Sequence, residues 1–129
     1  MTELSISESG GDWNVKSEGN TLVWTFNEGM SLSKFGEEAY PTYEQILADH
    51  GEKIEGMVTV IEMDDPFNED AFEVWENAGK KAQEEGIRKW ALVADGLTKI
   101  SLRGKLDYDD LRVKGFEERE EAVEWSRDQ

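Results

Sequence analysis

The stretch from residue 57 to residue 94 constrains the fold of this chain more than any other. An apolar run, Met57–Ile61, precedes a helical pattern, and a second apolar run follows at 89–94. The helical pattern carries one apolar stripe with spacings of four, three and four residues, formed by Ala71, Trp75, Ala78 and Ala82. Short runs that are apolar on both sides are typical of central strands covered by helices. Two such strands joined by a helix predict a parallel or mixed sheet.

An antiparallel hairpin is predicted before this unit. Two alternating runs, Asp12–Ser17 and Thr21–Asn27, flank a turn signal at Gly19 and Asn20. A broken helix is expected next, with a short helical segment near 32–39 and a second helix from Pro41 to His50. Proline fits the first position of a helix, and a glycine often follows its end.

The remaining pattern predicts a short helix over 97–106, a last strand near 111–113 and a final helix. The expected fold is a single α/β domain over residues 11–127. It has a mixed four- to five-stranded sheet, an N-terminal antiparallel hairpin and helices packed on the sheet. Residues 1–10 are polar and acidic, and we expect a flexible tail there.

Composition excludes several classes of function. The net charge of −16 argues against nucleic acid as a partner, because phosphate binding needs a basic surface. No stretch approaches the roughly 20 apolar residues of a membrane span, and the N-terminus is no secretory signal, so a cytoplasmic protein is expected. The chain has no cysteine and one histidine, His50, which argues against thiolate chemistry and a His-rich zinc site. No cofactor is predicted.

The acidic charge indicates a surface coat rather than disorder, because five tryptophans supply material for a core. Such a coat repels itself unless salt screens it. It is typical of a protein from a cell with molar intracellular salt, although an ordinary acidic binding protein is the alternative.

Acidic residues cluster between the first apolar strand and its helix. A calcium loop would need a turn glycine and a closing glutamate, whereas Pro66 and Phe67 fill the middle here. Asn68 is placed to cap the helix, and Glu69 and Asp70 fall in its first turn, where the helix dipole favours negative charge. Helix capping is therefore favoured over metal binding, and no metal site is predicted.

A second candidate is the turn "ADGLTK" at 94–99. One glycine between a strand and a helix could admit an anion, but the spacing of a phosphate loop is absent. Open α/β sheets bind ligands where their strands end. Because both segments follow strands, we expect one partner- or ligand-binding surface, made of Asp65, Asn68, Glu69, Asp70, Asp95, Gly96 and Thr98.

Three aromatic residues, Phe35, Tyr40 and Tyr43, stand apart from the predicted core because they lie on the broken helix. They could line an apolar pocket against the sheet or a partner groove. A catalytic residue is not predicted. The nucleophile motif G-x-S-x-G is absent, and His50 lies near a helix end whose dipole it can complement.

The region from about 57 to 127 resembles the STAS domains, and more narrowly their SpoIIAA-like branch of anti-sigma-factor antagonist-like proteins. The resemblance rests on two parts of the sequence. The first is the strand–helix–strand unit, and the second is "LRVKGFEEREEAVEWSRD", in which Phe116, Ala122 and Trp125 match the last strand and helix of that branch. The resemblance implies a non-enzymatic domain that binds proteins or small ligands. Family antagonists carry a phosphorylatable serine before the second helix. No serine or threonine occurs here between Asp64 and Ala71, so that switch is missing.

Three hypotheses follow. The first is a regulatory or binding domain of a salt-adapted cell that acts through protein partners. The second is a carrier or sensor of an apolar small molecule bound by Phe35, Tyr40 and Tyr43. The third is an enzyme that uses the carboxylates of Asp65 or Asp95. The oligomeric state is left open.

Overall fold

The computed structural model describes residues 6–30, 32–62, 69–94 and 111–127. The strands are β1 (Ser7–Ser9), β2 (Trp13–Glu18), β3 (Thr21–Phe26), β4 (Gly56–Ile61), β5 (Lys89–Val93) and β6 (Arg112–Phe116). The helices are α1 (Leu32–Lys34), a π-helix (Phe35–Ala39), α2 (Tyr40–His50), a 3-10 turn (Gly51–Lys53), α3 (Glu69–Glu84) and α4 (Arg119–Arg127).

All six strands form one sheet in which spatial order follows chain order. The pairs β1–β2 and β2–β3 are antiparallel, and β3, β4, β5 and β6 are parallel to one another. A single α/β domain with a mixed sheet and an N-terminal hairpin is therefore confirmed. The predicted count of four to five strands differs from the six observed.

The additional strand is β1, within the segment for which the sequence predicts a flexible tail. Ile6 is buried and forms two hydrogen bonds with Ser17, each 3.0 Å long. The Ile6 amide donates to the Ser17 hydroxyl, and the Ser17 amide donates to the Ile6 carbonyl. The strand reads Ser-Glu-Ser and all three residues are exposed. Backbone hydrogen bonds, rather than alternating apolar side chains, hold β1 in the sheet. Hydrophobic periodicity therefore does not predict this strand.

The sheet separates two apolar cores. On the first face, α2 and α3 pack against alternate residues of the central strands, including Trp24, Met57 and Trp90. On the second face, α4 packs against the intervening residues, including Val58 and Ala91. Side chains of a strand point alternately to opposite faces, so strands covered on both sides are apolar throughout, as the sequence indicates.

The predicted broken helix is continuous. The π-helix joins α1 to α2, and the Tyr40 amide donates to the carbonyl of Phe35, five residues earlier. Pro41 is the second residue of α2. In a regular helix its ring would collide with the carbonyl of Glu37, and the wider π turn gives that ring room. The sequence therefore indicates the irregularity correctly but not its form.

Candidate functional site

The parallel strands end together at one side of the sheet, which we call the carboxyl edge. Phe26 pairs with Ile61, and Val60 with Val93. Pairing continues past the strands, because the Glu62 amide donates to the Phe26 carbonyl (2.7 Å). The chain thus leaves β4 and β5 side by side, towards residues 63–68 and 95–110. This is the edge at which open α/β sheets bind ligands.

Most residues of the predicted binding surface lie outside the described residues: Asp65, Asn68, Asp95, Gly96 and Thr98. Glu69 and Asp70 are the first two residues of α3, which the sequence places in the first helical turn. Their side chains are not described. The structure shows that β4 and β5 end at the same edge of the sheet, and the two predicted segments follow these strands in the chain.

The three aromatic residues of the broken helix lie in different environments. Phe35 and Tyr43 are only 6% and 3% exposed and belong to the first-face core, so the expectation that they stand apart from the core is wrong for these two. Tyr40 is half-buried and packs against that core. The rings of Phe35 and Tyr43 each lie about 6 Å from the Tyr40 ring. Together they form one aromatic cluster.

The space between this cluster and the sheet is an inner cavity of about 20 Å³. Its lining is almost wholly apolar and comprises Trp24, Phe26, Phe35, Ala39, Tyr43, Met57, Thr59, Trp75, Ala78 and Trp90. Its polar groups are paired within the chain. The Trp90 indole donates to Thr59 Oγ1 (2.9 Å), and the Tyr43 hydroxyl donates to the Ala78 carbonyl (2.8 Å). A volume of this size holds about one water molecule.

A larger space lies on the outer side of the same helix. We call it the outer groove; it has a volume of about 470 Å³ and runs between the helical segment 35–44 and α3. It is lined by Phe35, Gly36, Tyr40, Glu44, Val74, Asn77, Lys80, Lys81 and Glu84. Phe35 belongs to both linings, so the inner cavity and the outer groove meet at this residue.

Electrostatics around Tyr40 are set by burial and two acids. Desolvation raises the pKa of the Tyr40 hydroxyl above its ordinary value, and the charges of Glu44 and Glu84 raise this pKa further. All three residues line the outer groove. The two carboxylates therefore place negative charge near the Tyr40 ring, and this charge favours a cation there.

The start of the helical segment is fastened to the hairpin. Lys34 forms an ion pair with Asp12, which also raises the pKa of Lys34. The Trp13 indole donates to Glu38 Oε1 (3.3 Å). These contacts join the residues around the π-helix to Asp12, just before β2, and to Trp13, its first residue. They therefore help to position one wall of the outer groove.

Within the described ranges, no group of three or more His, Cys, Asp or Glu side chains is arranged to hold a metal ion. His50 is half-buried at the end of α2. Among the same residues, every helix is too short or too polar to cross a membrane.

A scan against protein-family models gives no match, and no curated protein matches the chain at a significant level.

Sequence reasoning missed the wall of the outer groove that α3 provides. The apolar stripe of α3 indicates its buried residues, whereas Val74, Asn77, Lys81 and Glu84 lie beside that stripe. One signal was available in the sequence. Gly36 lies inside a predicted helical segment, where glycine lowers helix stability. A glycine at such a position indicates a packing or functional role.

Proposed function

We propose that this chain is a non-enzymatic binding domain, similar to the SpoIIAA-like STAS domains, that regulates protein partners in the cytoplasm of a salt-adapted cell. The observation that carries the proposal is the common carboxyl edge of β4 and β5, where Val60 and Val93 are register partners. The two polar segments singled out in the sequence leave the sheet side by side at this edge. A partner can therefore contact both segments at once.

The charge of the chain supports a docking role. With a net charge of −16, its long-range field attracts basic partners and repels acidic ones. The described ends of the carboxyl edge are themselves acidic, since Glu62 follows β4 and Glu117 and Glu118 follow β6. We place the docking surface here, around Asp65, Asn68, Glu69 and Asp70 and the turn of Asp95, Gly96 and Thr98.

Regulation by phosphorylation of a serine before α3 is not part of this proposal, since that segment has no hydroxyl side chain. Two carboxylates, Glu69 and Asp70, stand where the family's phosphate would add charge. A permanently acidic docking surface follows, which would bind its partner without a kinase.

The experiment is affinity capture from cells of the source organism in molar salt, with mass spectrometry of the bound proteins. Wild type is compared with the double variant Glu69→Ala/Thr98→Ala. The matched control is Glu85→Ala, because Glu85 follows α3 near the opposite edge of the sheet. We expect a partner that the double variant loses and the control retains. Retention of every partner by the double variant would contradict the docking surface.

A carrier of an apolar small molecule is the second candidate function. It is favoured by one observation, namely that Phe35 lines both the aromatic inner cavity and the outer groove. A rotation of that ring would join the two spaces. Native mass spectrometry of the purified protein tests this: a co-purifying lipid or metabolite that Phe35→Ala releases would favour the carrier.

A further inference from the structure

The outer groove is long enough to hold a short helix. One wall is a row of residues four apart along the helical segment, Gly36, Tyr40 and Glu44, and the other is a row on α3, Val74, Asn77, Lys81 and Glu84. At a rise of about 1.5 Å per residue these rows are roughly 12 and 15 Å long. That length accommodates two to three turns of an added helix.

Gly36 provides the first independent indication of an occupant. Beyond its chain neighbours and its own helix backbone, a β-carbon added at Gly36 would meet no described atom within 4 Å, and the φ angle of Gly36 is not in the positive range. Neither packing nor backbone conformation therefore requires glycine at this position in the helix, where glycine is less stable than alanine. A glycine in the groove lining does allow another chain to approach the backbone closely.

The polarity of the groove indicates which way an occupant lies. Phe35, Gly36 and Val74 make one end apolar. At the other end, Glu44 and Glu84 line the groove near the half-buried Tyr40 and would attract a cation.

Two lysines, Lys80 and Lys81, also line the groove. Lys80 forms an exposed ion pair with Glu76 along α3 (Nζ to Oε1, 3.3 Å), which offsets part of its charge. Lys81 lies in the last turn of α3, where its charge offsets the negative end of the helix dipole. The net charge of the chain, −16, therefore dominates the long-range field that a partner meets.

We propose that the outer groove binds an amphipathic helix of a protein partner, with apolar side chains over Gly36 and Val74 and a lysine or arginine beside Glu44 and Glu84. This is the helix-in-groove mode of recognition. The inference rests on the proposed binding function but uses a surface other than the carboxyl edge.

Fluorescence anisotropy with two labelled model peptides tests the proposal on the full chain. Both are helices of about 14 residues with the same leucine stripe, and one carries lysines beside the stripe where its twin carries glutamates. We expect the lysine peptide to bind at least about tenfold more tightly than its twin. Glu44→Gln/Glu84→Gln, which preserves side-chain size, should reduce that preference to less than about threefold.

Gly36→Leu should weaken binding of the lysine peptide by at least about tenfold, because the new side chain fills the groove. Its matched control is Gly11→Leu, since a β-carbon at exposed Gly11 also meets nothing within 4 Å. Circular dichroism establishes that each variant compared is folded. Equal affinity for the two peptides, or unchanged binding by Gly36→Leu, would overturn the proposal.

These outcomes are separable from those of the proposed function. If the groove variants bind the peptides like wild type while Glu69→Ala/Thr98→Ala loses its cellular partner, the helix site is wrong and the carboxyl-edge surface stands. If the groove variants lose the peptide while the edge variant keeps every partner, the helix site stands and the carboxyl-edge surface is wrong.

Discussion

The carbonyl oxygen of Ser126 lies 2.6 Å from the position that a β-carbon on Gly56 would occupy. Gly56 begins β4, and Ser126 is a buried residue of α4. The glycine therefore lets the end of α4 lie directly on the second face of the sheet. Lys89 supports the same contact, because its Nζ donates to the Trp125 carbonyl (3.1 Å) and lies over the Trp125 ring.

Gly56→Ala should destabilise the protein by about 1–3 kcal/mol, since the backbone of α4 must move to admit the methyl group. Urea denaturation measures the free energy of unfolding. Gly11→Ala is the control, because its β-carbon meets nothing within 4 Å, and its effect should stay within about 0.5 kcal/mol. Equal stabilities of the two variants would contradict the packing of α4 on β4.

Thr59→Val should cost about 1–3 kcal/mol of stability, because the buried Trp90 indole would lose the hydroxyl that accepts its hydrogen bond. Thr59→Ser retains that acceptor and should be the less damaging substitution. Both variants are compared by urea denaturation. A valine variant as stable as wild type would show that the indole finds another acceptor.

Alkaline titration should single out Tyr40. Its pKa is raised in the folded protein, so the folded state retains this proton more strongly than the unfolded state does. The stabilisation is complete below the unfolded pKa of about 10 and is lost as the pH rises through the folded pKa. Tyr40→Phe should remove this part of the alkaline loss of stability. The titration followed by absorbance near 295 nm should also lose one tyrosine that ionises above the ordinary range, and an unchanged titration curve would contradict the assignment.

Desalting should lower the melting temperature, because repulsion within a surface of charge −16 is then less screened. Thermal melts followed by circular dichroism at low and molar salt measure the effect. Potassium chloride and sodium chloride should act alike, since the effect is one of screening. A melting temperature that does not change with salt would argue against a salt-adapted protein.

Hydrophobic periodicity predicted the central part of the fold well. The runs that became β4 and β5 are apolar on both sides because helices cover both faces of the sheet, and the stripe of Trp75, Ala78 and Ala82 became the buried side of α3. Gly86, two residues after the end of α3, has a φ of 92°, in the left-handed region that glycine favours. These features depend on local pattern, which the sequence shows directly.

Features that depend on backbone pairing or on distant packing could not be predicted in this way. Strand β1 is entirely polar, and the π-helix depends on the fit of Pro41 into a longer helix. Phe35 was expected to stand apart from the core because a break in a helix suggests exposure, yet the continuous helix turns its ring inwards. Most of the predicted binding surface, including Asp65 and Thr98, lies outside the described residues and stays a prediction.

We place partner binding at the carboxyl edge, and hydrogen exchange of the protein bound to its captured partner tests this most directly. We expect slower exchange, relative to the free protein, in peptides that cover 61–70 and 93–98. Peptides at the opposite edge, covering 19–21, 53–56 and 86–89, should exchange unchanged and serve as the internal control. Slower exchange confined to that opposite edge, or no slowing at the carboxyl edge, would contradict the proposed docking surface.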